Sequence, residues 1–105
     1  MDKTQILIIG TNKPIMETIA RLIDREEKWL ATIAFSVEQA IEICFKKEFS
    51  LALICAGLSA EGELELNKRL KKLNPNLPII MHYGGGSGLL FAEIYQGLKP
   101  HALKI

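Results

Sequence analysis

Short apolar runs alternate along the chain with longer stretches in which apolar residues recur every three or four positions. The continuous runs are typical of strands buried on both faces of a sheet, and the recurring positions are typical of helices with one apolar face. The runs predict strands at residues 6–9, 30–35, 51–56, from 78 onward, and 101–105. The helical spacing predicts helices at residues 13–23, 37–45, 60–73 and 89–96. The predicted order is βαβαβαβαβ.

Residues that often cap helices stand at the boundaries between the predicted helices and the segments that flank them. Asn12, with Pro14 two residues later, is a suitable start for the first helix. Ser36 and Gln39 have the spacing of a capping box at the start of the second helix. Gly97 is a suitable residue to end the fourth helix. These signals support the helix boundaries that the spacing predicts.

Strands and helices of these lengths in strict alternation imply a parallel sheet with right-handed crossovers and helices on both faces. Because no repeat, linker or composition change interrupts the pattern, residues 1–105 are expected to form one domain. A content of 49% hydrophobic and 24% charged residues fits a globular chain better than a disordered one.

Charge and hydropathy exclude several classes of partner. A net charge of +1 gives no reason to expect nucleic acid or a membrane surface, and the basic run of the third helix lacks interleaved aromatic residues. No apolar run approaches the roughly 20 residues that span a bilayer. The N-terminus is not signal-like, and Cys44 and Cys55 are isolated from each other in sequence. These features predict a cytoplasmic protein.

The order and spacing of the elements resemble the receiver domain of two-component response regulators over essentially the whole chain. The resemblance rests on residues 6–9 and 51–54, on residues 64–80 with their basic end and Asn-Pro-Asn stop, and on Gly97 seven residues before Lys104. It implies a flavodoxin-like three-layer sandwich with a five-stranded parallel sheet of order 2-1-3-4-5. In such a fold the site lies at the carboxyl ends of strands one, three and four.

The resemblance also assigns five chemical positions, and four of them are changed. A working receiver has two adjacent acids, an aspartate that accepts the phosphoryl group, a small hydroxyl residue and a lysine. These positions fall on Gly10, Thr11, Cys55, Tyr83 and Lys104, of which only the lysine matches. Without carboxylates there is no site for a hard divalent cation, and without the cation nothing neutralises the phosphoryl oxygens. We expect no metal, no cofactor and no enzyme activity.

The end of the sequence adds a further expectation. Receivers continue past the fifth strand into a helix that packs beside the first helix, whereas this sequence stops at Ile105. The last helix is therefore predicted to be missing, and the place beside the first helix to be uncovered. An uncovered apolar place invites pairing. On this basis the chain is expected to be the N-terminal fragment of a longer protein.

These features predict a pseudo-receiver, a domain that works by contact with a protein partner or with further domains of the same chain. A homodimer is a further option. The expected surface comprises the fourth helix and the position of the receiver's switch aromatic: Leu89, Leu90, Phe91, Ile94, Tyr95 and His101. No nucleic acid and no membrane is expected to bind this domain.

Two other functions start from the same positions. A ligand or redox sensor would use the remodelled pocket around Cys55 and Lys104, with the lysine lowering the thiol pKa. Cys55 as a small buried apolar residue is the favoured interpretation. The glycine-rich residues 84–88 precede a helix and offer, with Lys104, a place for a small anion. A flavin carrier is disfavoured because residues 10–14 are not a phosphate-binding loop.

Overall fold

The computed structural model describes residues 3–55, 57–82 and 86–98, with the backbone only for residues 86–89. The described strands are β1 (Thr4–Ile9), β2 (Trp29–Ala34), β3 (Leu51–Cys55) and β4 (Ile79–His82). The helices are α1 (Lys13–Asp24), α2 (Val37–Lys46), α3 (Ala60–Leu73) and α4 (Gly86–Leu98). Within the described residues, no helix is long and apolar enough to cross a membrane.

All described strand pairs are parallel, and the sheet has the order β2-β1-β3-β4. This is the order that the sequence predicts for the first four strands. In the register, Ile8 lies between Ile33 and Leu53, and Leu53 lies beside Ile80. The residues of β3 are all buried, because both faces of this central strand are covered by helices. The predicted fifth strand, residues 101–105, lies outside the described residues.

Alternate residues of the central strands form two apolar cores, one on each face of the sheet. On one face, Leu7 and Ile54 pack among apolar side chains of α2 and α3. On the other face, Ile8 and Leu53 pack among side chains of α1 and α4. The period of two in the strands and of 3.6 in the helices thus determines which side chains of each element face a core.

The predicted caps at the starts of α1 and α2 are present and hold the loops at the ends of the strands. The Oδ1 atom of Asn12 accepts a hydrogen bond from the backbone N–H of Ile15 at 3.1 Å, and Ser36 caps α2 through the N–H of Gln39 at 3.0 Å. The side chain of Gln39 turns back, as a capping box requires, but it accepts from the N–H of Phe35 at 2.6 Å. Each cap satisfies a backbone group that the helix leaves without a partner.

α4 lies on the same face of the sheet as α1. The chain moves from β1 to β2 in one direction across the sheet, and from β2 to β3 and β4 in the other direction. Right-handed crossovers therefore place α1 on one face of the sheet and α2 and α3 on the other face. A right-handed crossover from β4 to a further strand beside it would need α4 on the α2–α3 face. α4 instead occupies the place that the resemblance gives to the missing last helix.

The expectation of an uncovered place beside α1 is therefore wrong. Leu90 and Ile94 are buried among α1 residues, and Trp29 packs against Phe91 and Tyr95 with ring centroids 5.9 and 5.0 Å apart. Apolar burial of this kind stabilises the helix in its place.

α4 is also longer than predicted. It begins at Gly86, within the predicted glycine-rich loop, and it continues through Gly97 to Leu98. Gly97 is buried, and a Cβ atom there would lie 2.7 Å from Cδ1 of Leu51. Gly97 is thus not a helix stop. The missing side chain lets α4 approach the sheet closely.

Candidate functional site

The loops that follow β1 and β3 meet at the carboxyl edge of the sheet, where the sequence places the site. Gly10 is buried, and its N–H donates to the carbonyl of Ala34 at 3.1 Å. Thr11 is exposed and lies against Gly57, whose φ is +117°. A Cβ atom on Gly57 would lie 2.1 Å from Oγ1 of Thr11. The threonine side chain therefore occupies the space between the two loops.

Three of the five predicted site residues are thus placed. Gly10 and Thr11 follow β1 directly, and Cys55 ends the neighbouring strand β3, beside the β1 end in the register. None of the three carries a carboxylate. Within the described residues, no group of three or more histidine, cysteine, aspartate or glutamate side chains could hold a metal ion. Tyr83 and Lys104 lie outside the described residues.

The thiol of Cys55 is buried in the apolar core between the sheet and the α1–α4 layer. The residue is 2% exposed and packs among the side chains of the α1–α4 core. Burial, together with the negative charge of Glu93, raises the pKa of the thiol to about 12. Only the thiolate is a good nucleophile, so this cysteine is held in its unreactive form at neutral pH.

Cys44 is the second cysteine, and it lies on α2 at the other face of the sheet. It is half-buried and packs against the α2–α3 core, as the apolar stripe of that helix predicts. Burial raises the pKa of its thiol as well. Because Cys55 belongs to the opposite core, the sheet separates the two thiols.

A buried polar pair, which the sequence does not reveal, lies next to Cys55. His82 ends β4 and pairs with Cys55 across the strands, and its Nδ1 atom lies 2.5 Å from Oε1 of Glu93 on α4. Both side chains are largely buried. The contact ties β4 to α4. Predicting it would have required knowing that α4 returns over β4, since the residues stand eleven positions apart with no motif between them.

Cys55, His82 and Glu93 resemble in residue type the nucleophile, base and orienting acid of a cysteine hydrolase. A hydrolase needs an accessible nucleophile activated by its base. Here the thiol is buried, and Glu93 acts on it to raise its pKa. The three side chains therefore form a polar end to the α1–α4 core, without the properties of a catalytic group.

The predicted interaction surface on the fourth helix is wrong for two of its residues. Leu90 and Ile94 are buried, since they face α1 and the sheet. Phe91 is half-buried against Trp29, and Tyr95 is 46% exposed. The side chain of Leu89 and the whole of His101 lie outside the described residues.

Among the side chains that the structure describes, the large apolar ones with the highest exposed fractions lie on the opposite face, on α2 and α3. Phe45 is 73% exposed and Leu64 is 72% exposed. The sequence assigns Phe45 to the buried stripe of α2, because it follows Ile41 by one turn. Phe45 stands in the last turn of α2, where the sheet no longer covers the stripe. Helical spacing shows which residues share a face, but not where the neighbouring layer ends.

Solved structures of receiver domains have the same fold as this chain. A two-component response regulator from Clostridium difficile matches with a TM-score of 0.81 and 18% identity, over 94% of this chain and 98% of that one. A response regulator receiver domain protein from Clostridium thermocellum matches with a TM-score of 0.81 and 13% identity, over 97% and 99%. A CheY-like receiver domain protein from Methanospirillum hungatei JF-1 matches with a TM-score of 0.70 and 22% identity, over 91% and 76%.

The likeness is one of structure. No protein-family model matches the chain, and no curated protein matches it in sequence. At identities of 13 to 22%, the matches establish the fold, which is the flavodoxin-like receiver fold.

Proposed function

We propose that this chain is a receiver domain that has lost phosphoryl transfer and acts in bacterial signalling or transcriptional regulation by protein contact. It is non-catalytic, needs no cofactor and works in the cytoplasm. In a working receiver, phosphoryl transfer takes place at the carboxyl edge of the sheet. The proposal therefore depends on which residues this chain has at that edge.

The observation that carries the proposal is the chemistry of the carboxyl edge. Gly10, Thr11 and Cys55 stand where the resemblance requires two acids and a phosphoryl acceptor. A divalent cation needs hard oxygen ligands, and carboxylates supply most of them. Without the cation, charge on the phosphoryl oxygens is not neutralised in the transition state. A buried thiol in place of the aspartate cannot form an acyl phosphate.

The structure counts against the alternative of a redox sensor. A sensing cysteine needs a low pKa and access to solvent, so that the thiolate can meet the oxidant. Cys55 has a raised pKa and almost no exposure. The predicted activating group, Lys104, lies outside the described residues. We therefore keep the contact function as the conclusion.

The proposal is tested with beryllium fluoride and Mg²⁺, which together mimic the phosphoryl group on a receiver's aspartate. The amide NMR spectrum of this chain is expected to stay unchanged at Gly10, Thr11 and Cys55 when both are added. A receiver domain with all of its acids, measured in the same buffer, serves as the positive control and is expected to shift. Shifts at this edge that need both Mg²⁺ and beryllium fluoride would contradict the proposal.

A further inference from the structure

Leu64 forms an apolar protrusion on the outer surface of α3. It stands two residues before the buried Leu66, which is about 200° around the helix, so its side chain points away from the sheet. Glu61 and Lys68 lie about one turn before and after it on the same face of the helix, and Glu63 and Glu65 flank it on the two sides. We call Leu64 and these four charged residues, whose net charge is negative, the Leu64 protrusion. Exposed leucines are common, but this one lies within an acidic setting of its own.

A groove with the opposite charge lies between the last turns of α2 and α3. Phe45 and Leu73 line both of its concavities, which have volumes of about 380 and about 300 Å³. Its charged lining residues are Lys47, Glu48, Arg69 and Lys72. The rim thus carries three cations against one carboxylate. We call this the Phe45 groove.

The protrusion and the groove both belong to the α2–α3 layer: Leu64 stands on the outer side of α3, and Lys72 on the rim of the groove is about 80° around the helix from it. Leu64 and Leu73 are nine residues apart on α3, which corresponds to about 13 Å along the helix. If two copies meet through this face with their α3 helices antiparallel, each protrusion comes to lie over the groove of the other. A two-fold axis produces both contacts at once, as in most homodimers.

Charge selects this arrangement over the simpler one. Two Phe45 grooves placed directly against each other would bring cations together, which is unfavourable at short range. A protrusion with three carboxylates and one cation, facing a rim with three cations and one carboxylate, is complementary in net charge. Arg69 already pairs with Glu65 of its own helix at 3.3 Å, but both side chains are exposed, so this pair can be exchanged at little cost.

We infer that the chain forms a two-fold dimer in which Leu64 of each protomer inserts into the Phe45 groove of its partner. The inference rests on the proposed contact function and names a second copy of the chain as the partner. It places the contact on the α2–α3 layer, on the other side of the sheet from the surface that the sequence predicts. Because the contact is small, the association is weak and depends on concentration.

Sedimentation equilibrium between about 10 μM and about 1 mM tests the inference, since weak interfaces associate in this range. The average mass is expected to rise towards that of two chains and to stop there. Phe45→Ser and Leu64→Ser are each expected to weaken the association at least tenfold, because each removes a large apolar side chain from both contacts. Both residues are exposed, so each variant is expected to keep the circular dichroism spectrum of the parent chain.

A mixture of the two variants provides the sharper test. Phe45→Ser keeps the protrusion and Leu64→Ser keeps the groove, so a mixed dimer retains one intact contact out of two. The mixture is expected to associate more tightly than either variant by itself. Ile15→Ser is the matched control, because Ile15 is 49% exposed on α1 at the other face, and the association is expected to be unchanged. Added salt is expected to weaken the dimer.

Several results would overturn the inference: a monomer at every concentration, association that neither variant weakens, growth beyond the dimer, or a mixture that associates no more tightly than either variant by itself.

Absence of the dimer would not contradict the proposed function. That proposal is tested with Mg²⁺ and beryllium fluoride at the carboxyl edge, whereas the Phe45 groove lies at the ends of α2 and α3, near the amino edge. The two experiments therefore fail separately.

Discussion

At the scale of residues, the end of β3 determines what chemistry the carboxyl edge can perform. A receiver's aspartate at this position needs cations and water around it to stay charged. The surroundings of Cys55 are apolar side chains, and among the described residues Glu93 is a negative charge that acts on its thiol. A neutral thiol suits this environment, and a carboxylate does not. Both the residue type and its apolar surroundings disfavour a charged carboxylate at this position. Replacing Cys55 by aspartate would therefore not by itself restore a receiver's acid site.

Replacing Cys55 by aspartate tests this description. Burial and Glu93 are expected to raise the pKa of the new carboxyl above its ordinary value of about 3.9. A group whose pKa is higher in the folded state loses its contribution to stability as pH rises through that range. Cys55→Asp is therefore expected to cost about 4 kcal/mol at pH 7, for a shift of about three units, and clearly less at pH 4.

Urea unfolding at the two pH values measures this effect. Cys55→Asn has a similar shape without the charge and serves as the control, because its loss of stability is expected to be the same at both pH values. If Cys55→Asp were as stable at pH 7 as at pH 4, relative to the asparagine variant, a cation would have to stand beside this position. The edge would then still be an acid site.

Some properties of single residues could be predicted from the sequence, and others could not. The missing carboxylates at Gly10, Thr11 and Cys55 follow from counting positions along the chain, so the sequence was sufficient to predict them. The contact of His82 with Glu93 and the exposure of Phe45 were not predicted. Both depend on which layer lies over a given residue, and local spacing carries no information on that.

At the scale of elements, α4 is the helix that gives this molecule its particular arrangement. The strands, three helices and their caps follow from local patterns, and the structure has them nearly as predicted. The face on which α4 lies was not predicted. Its apolar residues suit either face of the sheet, and a right-handed crossover to a fifth strand would place it on the α2–α3 face. In the structure α4 instead packs against α1 and Trp29.

Gly97→Ala tests the close approach of α4 to the sheet. The added Cβ would meet Leu51 at 2.7 Å and Ile80 at 3.1 Å, both in the α1–α4 core. Overpacking of this kind costs about 1–3 kcal/mol, against a gain of up to about 1 kcal/mol from helix propensity. We expect a net loss of about 1 kcal/mol in the free energy of unfolding, measured by the fluorescence of Trp29, the single tryptophan.

Gly62→Ala is the matched control on α3. A Cβ atom there would meet only Oγ of Ser59 at 3.2 Å, with the next atoms 3.9 and 4.0 Å away. The helix gains propensity and only the Ser59 hydroxyl has to move slightly, so the free energy of unfolding is expected to stay equal or to rise by up to about 1 kcal/mol. Equal stabilities of the two variants would mean that α4 is not packed against the sheet as closely as described.

At the scale of the whole molecule, the two faces of the sheet have different roles. The α1–α4 face is closed, with its aromatic residues gathered around Trp29. The α2–α3 face presents Phe45 and Leu64, the two most exposed of the large apolar side chains that the structure describes. The proposed function has no phosphoryl switch at the carboxyl edge. On that proposal, we expect contact with a partner to be made through a constant surface such as the α2–α3 face.

The most direct test of this account is the reaction with a small acyl phosphate in the presence of Mg²⁺, followed by intact-mass spectrometry. The account predicts no added phosphoryl group, with or without Mg²⁺, under conditions in which a receiver domain with all of its acids is modified. It equally predicts that Cys55→Ser leaves the spectrum without an adduct. A phosphoryl adduct that requires Mg²⁺ and maps to the end of β3 would contradict the account.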